Sequence, residues 1–179
     1  LKAAEPKRSH DGCGMHTPED DNFDWSVQFH ELDAPASTFK KLQPFVELWN
    51  SKRIGTGLPA WKNFELEDFQ EWYGWVAVFD IVATSPFDCL ARLWGMEITD
   101  TFGYEMTGKS PRDIGPEGGQ FQSDMDFKEK LYKERLIGST SGSIFWDDRK
   151  YIHIEEVFLP LATDGHKIDK LMCLTQRTD

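Results

Sequence analysis

Tyr151-Ile152-His153-Ile154-Glu155-Glu156-Val157-Phe158-Leu159-Pro160-Leu161 is followed by Thr163-Asp164-Gly165-His166 and then by a second apolar run, Ile168 to Gln176. Both runs are rich in strand-forming residues. The Asp-Gly between them is a hairpin signal, because glycine tolerates the positive φ of a tight turn. Just upstream, Gly142 to Asp147 reads as a third strand and Gly138-Ser139-Thr140-Ser141-Gly142 as a loop. Three strands in succession with no helix between them argue for an antiparallel sheet and an α+β fold class.

Working outward, Asp124 to Leu136 has helical periodicity, with Ser123 as a cap, acids in the first turn and Gly138 just past its end. The stretch Ile98 to Gln122 is rich in turn residues. Before it, Val76 to Val82 reads as a buried strand and Asp88 to Met96 as another, while Glu65 to Trp72 suits a short helix. Arg53 to Pro59 is a loop by its glycines and proline. Ala36 to Lys52 forms a helix with a broad apolar stripe, Phe39, Leu42, Val46 and Trp49, in which Pro44 either kinks the helix or marks its true start. Phe23, Trp25, Val27 and Phe29 alternate with polar residues, as in a strand. Residues 1–22 carry few large apolar side chains and read as a flexible leader, so residues 23–179 make one domain.

The chain has 179 residues, with 20 basic and 31 acidic side chains and a net charge of −11. Aromatics make up 13%, including seven Trp and thirteen Phe, ample apolar area to offset the chain entropy of one packed domain. The negative charge and the lack of any Lys/Arg-rich run argue against nucleic acid as a partner. No stretch approaches the roughly 20 apolar residues of a membrane span, and Leu1 to Arg8 lacks the apolar core of a signal peptide. Cys13, Cys89 and Cys173 are an odd, scattered set and do not read as a disulfide framework. The expectation is a reduced cytoplasmic protein.

Several motifs invite a chemical reading. Gly103-Tyr104-Glu105-Met106-Thr107-Gly108-Lys109-Ser110 fits the phosphate-cradling pattern G-x-x-x-x-G-K-[ST], but Pro111, Gly115 and Pro116 leave little room for the helix that should follow. Glu105 would also place a negative charge in the phosphate nest. Gly55-Thr56-Gly57-Leu58-Pro59-Ala60 mimics a dinucleotide fingerprint but follows a helix rather than a strand. Cys13-x-x-His16, with His10 nearby, is half of a zinc site without a second half, so no metal is expected. His153, with Asp80, Asp88, Glu155 or Glu156 as a carboxylate partner, would suit proton transfer, though no spacing fixes their geometry. Those charges, with Arg92, read more simply as solvated faces or ion pairs.

Taken together, Leu58-Pro59-Ala60-Trp61, Val78-Phe79-Asp80-Ile81 and Leu90-Ala91-Arg92-Leu93-Trp94-Gly95-Met96 resemble the PAS-domain superfamily, in its branch of small bacterial stand-alone proteins. Gly103, Thr107, Gly108 and Lys109 follow in order, then Leu159-Pro160-Leu161, Asp164-Gly165 and Ile168-Asp169. The resemblance spans about Phe45 to Gln176. It implies a five-stranded antiparallel sheet in the order 2-1-5-4-3, with helices over one face enclosing a cavity. The first two strands would be Leu90–Met96 and Ile98–Thr101, the wall helix Asp124–Leu136, and Ala36–Lys52 an N-terminal cap helix.

The resemblance further implies a non-enzymatic cytosolic sensory or signalling module that binds a small, largely apolar ligand or transmits through dimerisation. Trp94, Phe102, Leu131, Phe145, His153 and Met172 are the candidate lining, with His153 as the polar handle; each also reads as ordinary core. Phe39, Leu42, Val46 and Trp49 are the candidate interface for a homodimer or a signalling partner. The cofactor is unknown: the Asn-Cys-Arg-Phe-type run of flavin photosensors is missing, and Asp124 to Gly138 holds no histidine for haem. The alternatives are a pure protein–protein interaction module with a filled cavity, a P-loop nucleotide hydrolase at Gly103–Ser110, and a small α+β lyase or isomerase.

Overall fold

The computed structural model describes residues 25–114, 119–144, 149 and 151–178. Phe23, Phe145, the residues 1–22 and the His10, Cys13 and His16 cluster lie outside them. Among the described residues, six strands form one open antiparallel sheet: β1 Ser26–His30, β2 Val76–Thr84, β3 Phe87–Trp94, β4 Ile137–Ser143, β5 His153–Leu161 and β6 Lys170–Arg177. Their order across the sheet is β1-β4-β5-β6-β2-β3. The helices are α1 Gln43–Ser51, α2 Met96–Phe102, α3 Pro111–Ile114 and α4 Gly119–Glu134, with 3-10 turns at Ala36–Leu42, Trp61–Asn63 and Leu66–Trp72. The fold is α+β, as expected, with six strands rather than five.

The hairpin read from Asp164-Gly165 is present. Gly165 has φ 79°, and the Asp164 carboxylate accepts from the backbone N–H groups of His166 and Lys167 at 2.8 and 2.7 Å. Those two donors hold Asp164 below the usual carboxylate range.

Four local expectations need correction. Ile98–Thr101 is helical, not a strand: it lies inside α2, whose first N–H groups, Glu97 and Ile98, donate to the Gly74 carbonyl. The helix expected over 36–52 is broken at Lys40, which has φ 49° and ψ −112°, and the true α-helix starts at Gln43 with Pro44 in its first turn. Gly138–Gly142 is strand, not loop, because β1 and β5 flank it on both sides. Ser123 lies inside α4 rather than capping it, and the helix ends at Glu134, followed by Arg135 at φ 57°, instead of at Leu136.

Gly138 has another duty. A Cβ there would meet Phe127 Cζ at 2.4 Å and Leu131 Cδ2 at 2.9 Å, so its absence lets α4 lie directly on β4. The α4-facing side of the sheet follows by alternation: Phe158 packs edge-on against Phe127, and its cross-strand partner is Cys173. The opposite side carries Ser139, Leu159 and Met172. There the Ala36–Leu42 turn sits over the sheet, with Phe39 edge-on to His30, which is hydrogen-bonded to Ser139.

The stripe Phe39, Leu42, Val46 and Trp49 is buried in the chain's own core. It is thus covered within the protomer, which takes it away as an open dimer surface. Trp49 also completes the sheet. The register of β4 ends at Phe158, so the Pro160 carbonyl has no strand partner, and the indole Nε1 of Trp49 donates to it at 3.0 Å. Pro160 itself lacks an N–H and is tolerated in β5 because it lies beyond the β4 ladder.

Candidate functional site

Polar side chains are costly beneath a helix unless they are paired. Under α4 several gather. Thr140, Glu156 and Thr175 sit side by side on β4, β5 and β6. The hydroxyl of Thr140 donates to Glu156 Oε2 and that of Thr175 to Oε1, each at 2.9 Å. By alternation Glu156 shares the face of Phe158, toward α4. Burial raises its pKa, against the two hydroxyls and the nearby Lys128 charge, which pull it down.

Lys128 descends from α4 and is only 2% exposed. Its ammonium pairs with Asp124 one helical turn back and lies 4.7 Å from the Phe79 ring centroid and 5.1 Å from that of Phe158. Burial would discharge this lysine, but Asp124 and its neighbours outweigh burial and its pKa is raised. The ammonium is therefore fixed as a cation inside the protein, held by one carboxylate and two aromatic faces.

An aromatic wall closes the same side. Trp94 and Tyr104 are stacked, with centroids 6.0 Å apart and planes 19° apart, and Phe102 lies 5.9 Å from each. The Trp94 indole donates to the Tyr104 carbonyl at 3.2 Å. Burial first, then the charges of Asp124 and Glu156, raise the Tyr104 phenol. Burial also lifts the two described thiols, Cys89 to about 11 and Cys173 well above its usual value, so neither is an activated nucleophile at neutral pH.

The six expected lining residues do not converge. Trp94 and Phe102 belong to the aromatic wall, and Leu131 packs on the same side against Gly138. Met172 faces the opposite side, and His153 is exposed there, with its Nδ1 3.1 Å from Ser143 Oγ. Phe145 lies outside the described residues. The residues missed were Thr140, Thr175, Lys128 and Asp124; Glu156 was expected only as a carboxylate partner for His153, which lies on the opposite face. Glu156 had left a signal: an acid between Ile154 and Phe158 on the inward period of a strand.

The P-loop-like run is wired to itself. Glu105 Oε1 accepts from the Thr107 N–H at 2.7 Å and from its hydroxyl at 2.6 Å, and Lys109 Nζ donates to the Glu105 carbonyl at 3.0 Å. Helix α2 precedes it where a P-loop has a strand, and the helix after it, α3, is four residues long. The other charges singled out are partnered or solvated. Lys170 pairs with Asp80 at 2.8 Å, Asp88 accepts from the Ser110 hydroxyl at 2.7 Å, and Arg92 is exposed. Among the described residues no three His, Cys, Asp or Glu are grouped to hold a metal ion, and no helix is long and apolar enough to cross a membrane.

No family model, no curated protein and no solved structure matches this chain.

Proposed function

We propose that this chain is a PAS-like sensory or signalling module of the cytoplasm, not an enzyme, and that it holds a small ligand between α4 and the sheet. The strand order supports the reading: counted from Val76, β2 to β6 run 2-1-5-4-3 across the sheet, the order the resemblance implies, with β1 added beside β4. The expected first pair of strands then shifts one element earlier, to the β2–β3 hairpin.

The observation that carries the proposal is Glu156. A carboxylate on the inward face of a strand third from the sheet edge, holding only neutral hydroxyls as its hydrogen-bond partners, is costly unless it serves a ligand. Each of its oxygens has a further lone pair to offer. With the Lys128 ammonium and the Trp94–Tyr104 stack nearby, the arrangement favours a small planar molecule with hydrogen-bond donors over the largely apolar one first expected. Transmission through a homodimer or partner protein would use a surface other than the buried Phe39–Trp49 stripe.

The test is a native mass spectrum of the purified protein beside a denaturing one, repeated for Glu156→Gln. The expected result is an added mass that is retained natively, lost on denaturation and depleted in the variant. A wild-type spectrum with no added mass, from protein purified without a denaturing step, would sink the ligand reading and leave the interaction module with a filled cavity.

A further inference from the structure

The face of the sheet opposite α4 carries a concavity. Where the Ala36–Leu42 turn stops short of β1, β4 and β5, a cleft of about 120 Å³ remains. Its lining includes Ser26, Gln28, Lys40, Ser141 and Glu155, with Phe39 as an apolar wall. None of those five polar side chains has a hydrogen bond or ion pair among the described residues. The cleft thus offers one cation, one anion and, with Thr38, four neutral polar groups that make no side-chain hydrogen bond or ion pair among the described residues. Glu156 also borders it, but its carboxylate is already taken by Thr140 and Thr175.

We propose that this cleft binds a small zwitterion of the α-amino-acid class. Such a ligand brings an ammonium for Glu155, a carboxylate for Lys40, and backbone-sized dimensions that suit the volume. A polyol would leave both charges unanswered, and a simple anion or cation would leave one. The backbone supplies an independent observation. Lys40 holds φ 49° and ψ −112°, outside helical space and unusual for a residue with a Cβ. Strained residues of this kind persist where the surroundings over-determine them, and they cluster at ligand sites. A second depression shares Ser26, Ser141 and Glu155 and extends to His153, which leaves room in that direction for the ligand's side chain.

Isothermal titration of the full chain with glycine and with L-serine tests the proposal, with acetate, methylamine and glycerol as controls. Saturable binding of glycine or L-serine, and of none of the three controls, is the expected result. Glu155→Gln should weaken it about tenfold or more, since a charge-assisted hydrogen bond is lost. Lys40→Gly should do the same while easing the backbone, because glycine accepts positive φ. Glu67→Gln, exposed on a distant turn, should leave binding unchanged. Absence of saturable binding of either amino acid would overturn the proposal. So would equal binding of any control, or undiminished binding by a Glu155→Gln protein whose circular dichroism matches wild type.

Discussion

Each oxygen of the Glu156 carboxylate receives a threonine hydroxyl, yet burial still raises its pKa. An acid whose folded pKa lies above its unfolded value binds more protons when folded, so it costs stability as pH rises. The cost begins near the ordinary carboxylate value of about 4.3, grows up to the raised folded value and is constant above it. Glu156→Gln removes that titration while keeping one acceptor and adding donors. Thermal unfolding of both proteins from pH 4 to 8 should show the melting temperature of the variant minus that of wild type rising with pH; a difference that falls with pH would refute the assignment. A second residue-scale prediction concerns Trp49. Phenylalanine there keeps most of the ring but leaves the buried Pro160 carbonyl without its donor, an expected loss of about 1–3 kcal/mol in denaturant unfolding. A loss near zero would mean that water replaces the indole.

At the scale of elements, two glycines set how close the layers come. Gly138 allows α4 onto β4, and an alanine there drives its methyl into Phe127 and Leu131. Side chains can shift somewhat, so Gly138→Ala should cost about 1–3 kcal/mol, read as a lower denaturant midpoint. Gly95 is less forgiving. Its Cβ would stand 1.9 Å from the Gly74 carbonyl oxygen, which also accepts from the first N–H groups of α2. Backbone cannot yield as a side chain can, so Gly95→Ala should lower the melting temperature more than Gly138→Ala does, and the reverse ranking would contradict this packing.

Across the whole molecule, the sheet separates two environments. The α4 side holds a paired lysine, an acid between threonines and an aromatic wall; the other side holds the apolar stripe of the Ala36–Leu42 turn and α1 and, at its edge, the open cleft lined by Lys40 and Glu155. Cys89 and Cys173 are free and buried, on strands that join only through β2. Their thiols should resist alkylation in the native protein at pH 8 and react after unfolding in guanidinium, followed site by site in peptide mass spectra. Rapid native labelling of either would show that the sheet opens locally.

Much of this was legible in local signals. Asp164-Gly165 marked its hairpin because the turn chemistry is contained in four residues, and the strands at Val76 and Phe87 and the helix before Ile137 announced themselves by composition and period. Pairing was another matter. Ser139-Thr140-Ser141 has no strand-like hydrophobicity and becomes strand only because β1 and β5 supply hydrogen bonds on both sides. Ile98 to Thr101, with its β-branched residues, turns helical because Gly74, more than twenty residues away, caps it. The stripe of Phe39 to Trp49 was plain as a stripe, while what covers it was decided by the fold. The site followed the same division. A lone Glu156 on a strand says little by itself; its meaning comes from Thr140, Thr175 and Lys128, which are distant in the chain and meet only when the sheet assembles beneath α4. Periodicity and turn chemistry are local and travel with the sequence, whereas partners for buried charge are long-range and exist only in the folded chain.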